Sequence, residues 1–263
     1  MKFTFPLALT FLTVFPWPPL GPVTSQDLAR SLFWFPWVGA LLGLAFGAAG
    51  FILIRLVPSA AAAALLLVFT VVITRGLHLD GLADTVDGLG GGSTPEARLT
   101  IMKDSRLGAF GAMALVLVLL LKFSFFLVLF DQGRERTLVL FPIISRWGMV
   151  FLAGLAPYAR PGGGLGRAMT EGASPQLLAG STISALLLSF LAGGYAGTAL
   201  LFLAALVVAG LSHYFRRRLG GVTGDVYGAV NELLEIFVLG ITIVLSSSPG
   251  IFLFGVFPDK ICS

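Results

Sequence analysis

Residues 111–130 read Gly-Ala-Met-Ala-Leu-Val-Leu-Val-Leu-Leu-Leu-Lys-Phe-Ser-Phe-Phe-Leu-Val-Leu-Phe, a run whose one charge is Lys122. An α-helix rises about 1.5 Å per residue, so a run of this length crosses the ~30 Å hydrocarbon core of a bilayer. Six further apolar runs lie around it, at 34–54, 58–74, 138–155, 176–191, 197–213 and 228–245. Several fall short of 20 residues, which points to tilted, internal or interfacial helices among them. After the last run, Ser246-Ser247-Ser248-Pro249-Gly250 breaks the helix and a short apolar tail follows.

Composition agrees with this pattern. The chain has 263 residues, 57% apolar and 11% charged, with a mean hydropathy of +0.95. A soluble domain is roughly 45–50% apolar and about 25% charged. The charge here is too sparse to coat a water-soluble globule, which excludes an ordinary cytosolic enzyme, a disordered tail and a coiled coil. The expected fold is all-α: one membrane-embedded domain over 1–263, a polytopic bundle of about seven spans with juxtamembrane helices. The single cysteine, Cys262, excludes a disulfide framework or a cysteine-based metal site within the chain. Its replacement by serine is expected to change nothing. The net charge of +4 comes from scattered bases, with one tight cluster at Arg216, Arg217 and Arg218, so nucleic acid is not an expected partner. Membrane lipid is, and a homo-oligomer is compatible with the sequence.

Lys and Arg placement orients the bundle. The side that carries the 75–110 loop also holds Lys2, Arg30, Arg75, Arg98, Lys103, Arg106, Arg160, Arg167 and the 216–218 triplet. The other side holds only Arg55, Arg134, Arg136 and Lys260. The positive-inside rule puts the richer side in the cytoplasm. Residues 3–15 follow Lys2 and are apolar, but Pro6, Pro16, Pro18 and Pro19 punctuate the region and no small-residue cleavage site follows. They are expected to stay, lying on the membrane surface.

Carboxylates are costly near a membrane, so their grouping carries information. The stretch from Arg75 reads Arg75-Gly-Leu-His78-Leu-Asp80-Gly81-Leu-Ala-Asp84-Thr-Val-Asp87-Gly88. At about 100° per residue, Asp80, Asp84 and Asp87 form a stripe roughly 60° wide, opposite Leu82, Val86 and Leu89. Like charges four residues apart repel, and the stripe holds no base. A divalent cation is the natural counter-charge, and all-oxygen ligands suit Mg²⁺ or Mn²⁺. The plain alternative is a solvated acidic face. Gly81 and Gly88 leave room for a ligand beside Asp80 and Asp87. His78 falls on the apolar side of the wheel and reads as structural or capping.

The next stretch runs Glu96-Ala-Arg98-Leu-Thr-Ile-Met-Lys103-Asp104-Ser-Arg106-Leu-Gly108-Ala-Phe-Gly111. On a continuous helix Asp104, Gly108 and Gly111 share a face suited to close packing or close substrate approach. Arg98, Lys103 and Arg106 set three cations beside the acids. Acids for a metal with bases for phosphate is the layout phosphoryl transfer needs; the alternative is bases that hold topology and lipid headgroups. Further on, the loop Pro157-Tyr158-Ala-Arg160-Pro161-Gly162-Gly-Gly164-Leu-Gly166 reads either as a phosphate cradle on Arg160 or as a flexible connection. Gly221-Val-Thr223-Gly224-Asp225-Val-Tyr227-Gly228 leads into the last span, with Thr223 or Asp225 as its cap. Glu232 and Glu235 inside that span need partners, and Arg146 is one candidate.

Three of these stretches together resemble a known family. Residues 76–88 are similar to the hallmark of the cobalamin synthases, the adenosylcobinamide-GDP ribazoletransferases. Ile101-Met-Lys103-Asp104-Ser105-Arg106-Leu-Gly108-Ala-Phe-Gly111 resembles their second motif, and 221–229 with Glu232 and Glu235 their third. Phe11-Leu-Thr-Val-Phe15-Pro16, Arg146-Trp147 and Pro157-Tyr158-Ala-Arg160 fit as well, so the resemblance runs nearly end to end. Val86 and Lys103 are mild variants that alter no carboxylate.

The resemblance implies a reaction and its ligands. A hydroxyl of α-ribazole, or of its 5′-phosphate, attacks the corrinoid-side phosphorus of adenosylcobinamide-GDP. GMP leaves, and adenosylcobalamin or its phosphate forms, with Mg²⁺ required. On that reading one or two Mg²⁺ sit on Asp80, Asp84, Asp87 and Asp225. Asp84 and Asp104 serve catalysis, Asp104 by completing the metal shell or taking the hydroxyl proton. Arg75, Arg98, Lys103, Arg106 and Arg160 hold phosphate. Membrane CDP-alcohol phosphotransferases are a looser likeness, since Ala83 is followed here by Asp84 where they carry arginine. A secondary transporter using Lys122, Arg146, Glu232 and Glu235 is the non-enzyme alternative. No inverted repeat supports it, and the densest charges lie at one membrane surface.

Overall fold

The computed structural model describes residues 3–17, 21–162 and 164–247, and those residues form eleven α-helices and two short 3₁₀ segments. Lys2, Lys260, Cys262 and the apolar tail lie outside the described residues. α1 (Thr4–Leu12) and α2 (Ser25–Ser31) lead through a 3₁₀ turn into α3 (Phe35–Leu56). α4 (Ser59–Ile73) returns. α5 (Leu77–Gly91) and α6 (Pro95–Ile101) precede α7 (Ala109–Asp131). α8 (Leu140–Leu155), α9 (Leu165–Glu171), α10 (Pro175–Leu219) and α11 (Gly224–Ser247) complete the order.

Among the described residues, five helical units are long and apolar enough to cross a membrane, or six if the bent α4–α5 pair is one span. The seven runs of the sequence exceed this because 176–191 and 197–213 both lie on α10. Forty-five residues of straight helix would measure about 67 Å, over twice the hydrocarbon thickness. The chain instead breaks at Gly194, with φ 57° and ψ −144°, a backbone state open to glycine and strained for other residues. A Cβ on Gly197 would stand 2.1 Å from the Ser189 carbonyl oxygen. Eight residues along a straight helix are about 12 Å apart, so the two limbs of α10 fold back on each other.

The core lies where α8 is surrounded. Nearly every residue of α8 is buried, including Arg146, whereas α7 exposes Met113, Val116, Leu117 and Leu120. In a bilayer that exposed apolar face belongs to lipid, and α8 belongs to the bundle interior.

α5 turns 86° away from α4, so it runs across the end of the bundle. Arg75 and Gly76 make the corner in left-handed conformations, φ 56° and 63°. The Arg75 guanidinium donates to the Thr10 and Thr13 carbonyls at 2.8 and 3.1 Å, which fastens the end of α1 to the corner. Of residues 3–15, expected on the membrane surface, Thr4–Leu12 form a helix that buries Ala8 and Leu12 and receives a hydrogen bond from Trp34 Nε1 at Thr4.

Candidate functional site

α5 is held at the bundle end by two close crossings. Against α11, a Cβ on Gly81 would lie 2.7 Å from the Asp225 carbonyl oxygen, and one on Gly228 would lie 3.0 Å from that of His78. Against α7, Asp87 accepts the backbone N–H groups of Gly108 and Gly111, both at 2.8 Å. These are orphan donors at a helix start, and the carboxylate both satisfies them and complements the dipole. Gly81 and Gly88 were expected to admit a ligand; instead they admit other helices, with Gly88 meeting Met102 and the Arg98 carbonyl.

The acidic stripe is real but graded. Asp80 is exposed, Asp84 is half-buried, and Asp87 is buried. Asp84 is pushed up to about 6, first by burial, then by the neighbouring charges of Asp80 and Asp225, with Arg160 opposing and Asp87 adding. Asp225 therefore joins the group from α11. Its carboxylate accepts from Arg160 at 2.6 Å and from the Thr223 hydroxyl at 3.3 Å, while Thr223 caps α11 by accepting from the Val226 N–H. Of the four carboxylates read as metal ligands, Asp87 is committed to backbone and Asp225 to Arg160. Asp80 and Asp84 are the two that face outward. Among the described residues no set of three or more His, Cys, Asp or Glu is gathered tightly enough to hold a metal by itself.

The second motif departs from its helical reading. α6 ends at Ile101 and α7 starts at Ala109, so 102–108 is a loop, and Asp104 shares no helix face with Gly108 and Gly111. Asp104 forms a forked pair with its neighbour Arg106, 2.6 Å at the closest. Hydrogen bonds from the Arg106 side chain and backbone hold it down at about 2, too acidic for a base near neutrality. Lys103 is exposed beside Asp104.

The basic residues divide in the same way. Arg98 is buried and donates to the Arg218 and Ser93 carbonyls at 3.0 and 3.3 Å, joining α6 to the end of α10. Arg75 is spent on α1, as described. Both were expected on phosphate, and both are drawn to chain carbonyls left open at helix ends or loops. Arg160 donates to Asp225 and to the Met102 carbonyl and lines a cavity of about 860 Å³.

His78 is buried behind the stripe. Burial first, then Arg146 and Lys122, lowers it to about 3 against the pull of Glu235. Below it Lys122 pairs with Glu232 at 2.5 Å and Glu235 at 2.6 Å, and Arg146 pairs with Glu235, all within the bundle. Asn231 donates to Glu235 at 3.1 Å. Two cations thus balance two carboxylates, which removes much of the cost of burying them. Lys122 as the partner of both glutamates was missed, although two acids in one span call for two bases and the spans contain only Lys122 and Arg146. The cavity and its Arg167 and Arg216 were also missed, because they come from three separate stretches of chain.

The fold and the site define an integral membrane protein of the helical-bundle class. The family model described as cobalamin-5-phosphate synthase matches residues 4–243. An adenosylcobinamide-GDP ribazoletransferase of Syntrophobacter fumaroxidans is 43% identical over 89% of this chain and 96% of its own. Those of Desulfitobacterium hafniense and Pseudomonas putida strain GB-1 are 43% and 42% identical, over 89% and 92% of this chain and 94% and 99% of theirs. No solved structure matches. The chain belongs to the cobalamin-5-phosphate synthase family and is a transferase of cobalamin biosynthesis.

Proposed function

We propose that this protein joins adenosylcobinamide-GDP to α-ribazole or its 5′-phosphate, releasing GMP and forming adenosylcobalamin or its 5′-phosphate. The names of the relatives support the donor, and the carboxylate group around Asp84 carries the mechanism. An acceptor hydroxyl attacks the corrinoid-side phosphorus. The new phosphorus–oxygen bond replaces the one to the GMP phosphate, which leaves with the bonding electrons, and the hydroxyl proton passes to water or to an oxygen of the departing GMP.

The donor set fits Mg²⁺. Asp84 is raised by burial first and then by the charges of Asp80 and Asp225; a divalent cation offsets that negative charge, and every donor is a carboxylate oxygen. Mg²⁺ needs only one or two carboxylates, because waters and substrate phosphates complete its octahedron. Asp80 and Asp84 would hold it, with Asp225 reachable if Arg160 turns to the substrate. The ion supplies charge neutralisation on the pyrophosphate. Arg160 stands between the acids and the cavity, placed to orient a phosphate by a forked contact.

The basic residues of this end support a cytoplasmic face at the inner membrane. Arg30 and Arg167 line one hollow, Arg160, Arg167 and Arg216 another, and Arg98 reaches Arg218, so the richer set lies together.

The test is GMP release by the lipid-reconstituted protein given both substrates and Mg²⁺. Stoichiometric GMP and cobalamin, lost with EDTA, is the expected result. Absence of GMP from folded protein refutes the reading.

A further inference from the structure

We infer that Gly221 is a positioning residue for the transfer: its bare backbone lets the chain after α8 pair with the chain before α11, and that pairing sets Arg160 on Asp225. This deepens the proposed ribazoletransferase reading and rests on it.

Arg160 belongs to no helix. α8 ends at Leu155 and α9 begins at Leu165, and Arg160 is followed by Pro161 and three glycines. Glycine restrains the chain least of all residues, so the placement of Arg160 depends on the residues before it. Those residues form a parallel bridge, Tyr158 against Val222. The Val222 N–H donates to the Pro157 carbonyl and the Ala159 N–H donates to the Val222 carbonyl, both at 2.9 Å. Val222 is fully buried, so water does not replace a partner lost there.

The bridge joins the two sides of one ion pair. Arg160 stands two residues beyond Tyr158 and Asp225 three beyond Val222, and their side chains meet at 2.6 Å. Thr223, between Val222 and Asp225, donates to the Asp225 carboxylate and accepts the Val226 N–H. The backbone of Asp225 is held from the opposite side by the crossing at Gly81. A displaced bridge therefore moves Arg160 against a carboxylate that stays in place.

Gly221 permits the bridge by its size. A Cβ there would stand 2.2 Å from the Pro157 carbonyl oxygen and 3.2 Å from the Ala159 nitrogen. Both are backbone atoms, and both carry the hydrogen bonds of the bridge. Ordinary contact starts at 3.4 Å, so alanine forces the Pro157 carbonyl back toward that distance. Gly220 is the opposite case: its φ is 79° and a Cβ would meet nothing within 4 Å. Gly220 answers a demand of conformation, Gly221 one of space.

The experiment measures kcat/KM for GMP release in liposomes, with the Tm of each protein. It compares wild type, Gly221→Ala, Gly220→Ala, Arg160→Ala and the double variant Gly221→Ala/Arg160→Ala. Gly221→Ala is expected to lower kcat/KM about 10²-fold, the cost of a misplacement of about 1 Å. Gly220→Ala is expected to lower Tm through strain at positive φ and to leave kcat/KM near wild type. On the Arg160→Ala background, Gly221→Ala is expected to cost little more, because its effect runs through Arg160. Losses that multiply overturn the inference, as does an equal loss of kcat/KM in Gly220→Ala. If Gly221→Ala does not fold, Ala159→Pro takes its place. It removes the second bond of the bridge, and Tyr158, already extended there, accepts a following proline. The same loss and the same non-additivity with Arg160→Ala are expected. Failure of both to fold makes the bridge structural support only and overturns the inference. No GMP from wild type refutes the ribazoletransferase reading instead. In that event hydrogen exchange of the 221–226 amides reads the same link. Faster exchange in Gly221→Ala that Arg160→Ala reproduces keeps the tie between bridge and ion pair, and any other pattern removes it.

Discussion

Asp87 on α5 accepts the backbone N–H of Gly111 on α7 at 2.8 Å, and a Cβ on Gly111 would stand 2.3 Å from the same carboxylate. The acid that reads as a third metal ligand is therefore also the clasp between two helices. Gly111→Ala is expected to force α5 off α7, at a cost of about 1–3 kcal/mol, as overpacking does. Thermal unfolding in detergent measures this. A Tm equal to wild type would show that the clasp is looser than drawn.

Asp84→Asn is expected to abolish GMP release and to weaken Mg²⁺ binding while the protein stays folded. Asp87→Asn is expected to act differently, lowering stability by about 0.5–2 kcal/mol as loss of a helix cap does. Circular dichroism and size-exclusion profiles beside the GMP assay separate the two. Near-normal turnover of Asp84→Asn removes the metal assignment.

The pH profile follows from the sign of the Asp84 shift. Its carboxyl is raised to about 6, so below that pH it is protonated and a poor ligand, and above it ionised. The Mg²⁺ concentration for half-maximal rate is expected to rise as pH falls through about 6. In metal-free protein the raised value favours the folded state below the ordinary carboxylate range. That contribution is lost as pH rises through 6, and bound Mg²⁺ reverses the trend. A Mg²⁺ requirement flat between pH 5 and 7 would contradict this.

Glu235→Gln leaves Lys122 and Arg146 with Glu232 as the remaining carboxylate among their partners. Breaking a buried pair from one side costs about 3–5 kcal/mol, so folded yield in membranes is expected to fall sharply. Glu232→Gln combined with Lys122→Met, which preserves neutrality and keeps the Arg146–Glu235 pair, is expected to retain much more of the wild-type yield. Fluorescence-detected gel filtration reads both. Equal yields for the single and double variants would deny the charge balance.

Arg160→Ala is expected to lower turnover more than stability, because Arg160 connects Asp225 to the cavity and sits at neither helix clasp. Steady-state GMP release and unfolding measured together check it. A Tm loss that accounts for the whole activity loss would make Arg160 a structural tie.

The sequence by itself determined the class and the main groups. Twenty-residue apolar runs have few options other than membrane helices, because lipid leaves backbone amides no other partner. The i,i+4,i+7 spacing of Asp80, Asp84 and Asp87 sets them on one face of any helix. The buried glutamates announced their need for cations. What each polar group spends its bonds on was decided only by the tertiary structure. Asp87 is taken by amides from 21 and 24 residues away, and Arg75 and Arg98 by carbonyls of α1 and α10. Asp104 is taken by Arg106 because the chain leaves the helix at 102. Helical periodicity fixes direction around one axis. It carries no information about which orphan backbone group another helix end brings within 3 Å, and that competition decides which charges remain for substrate.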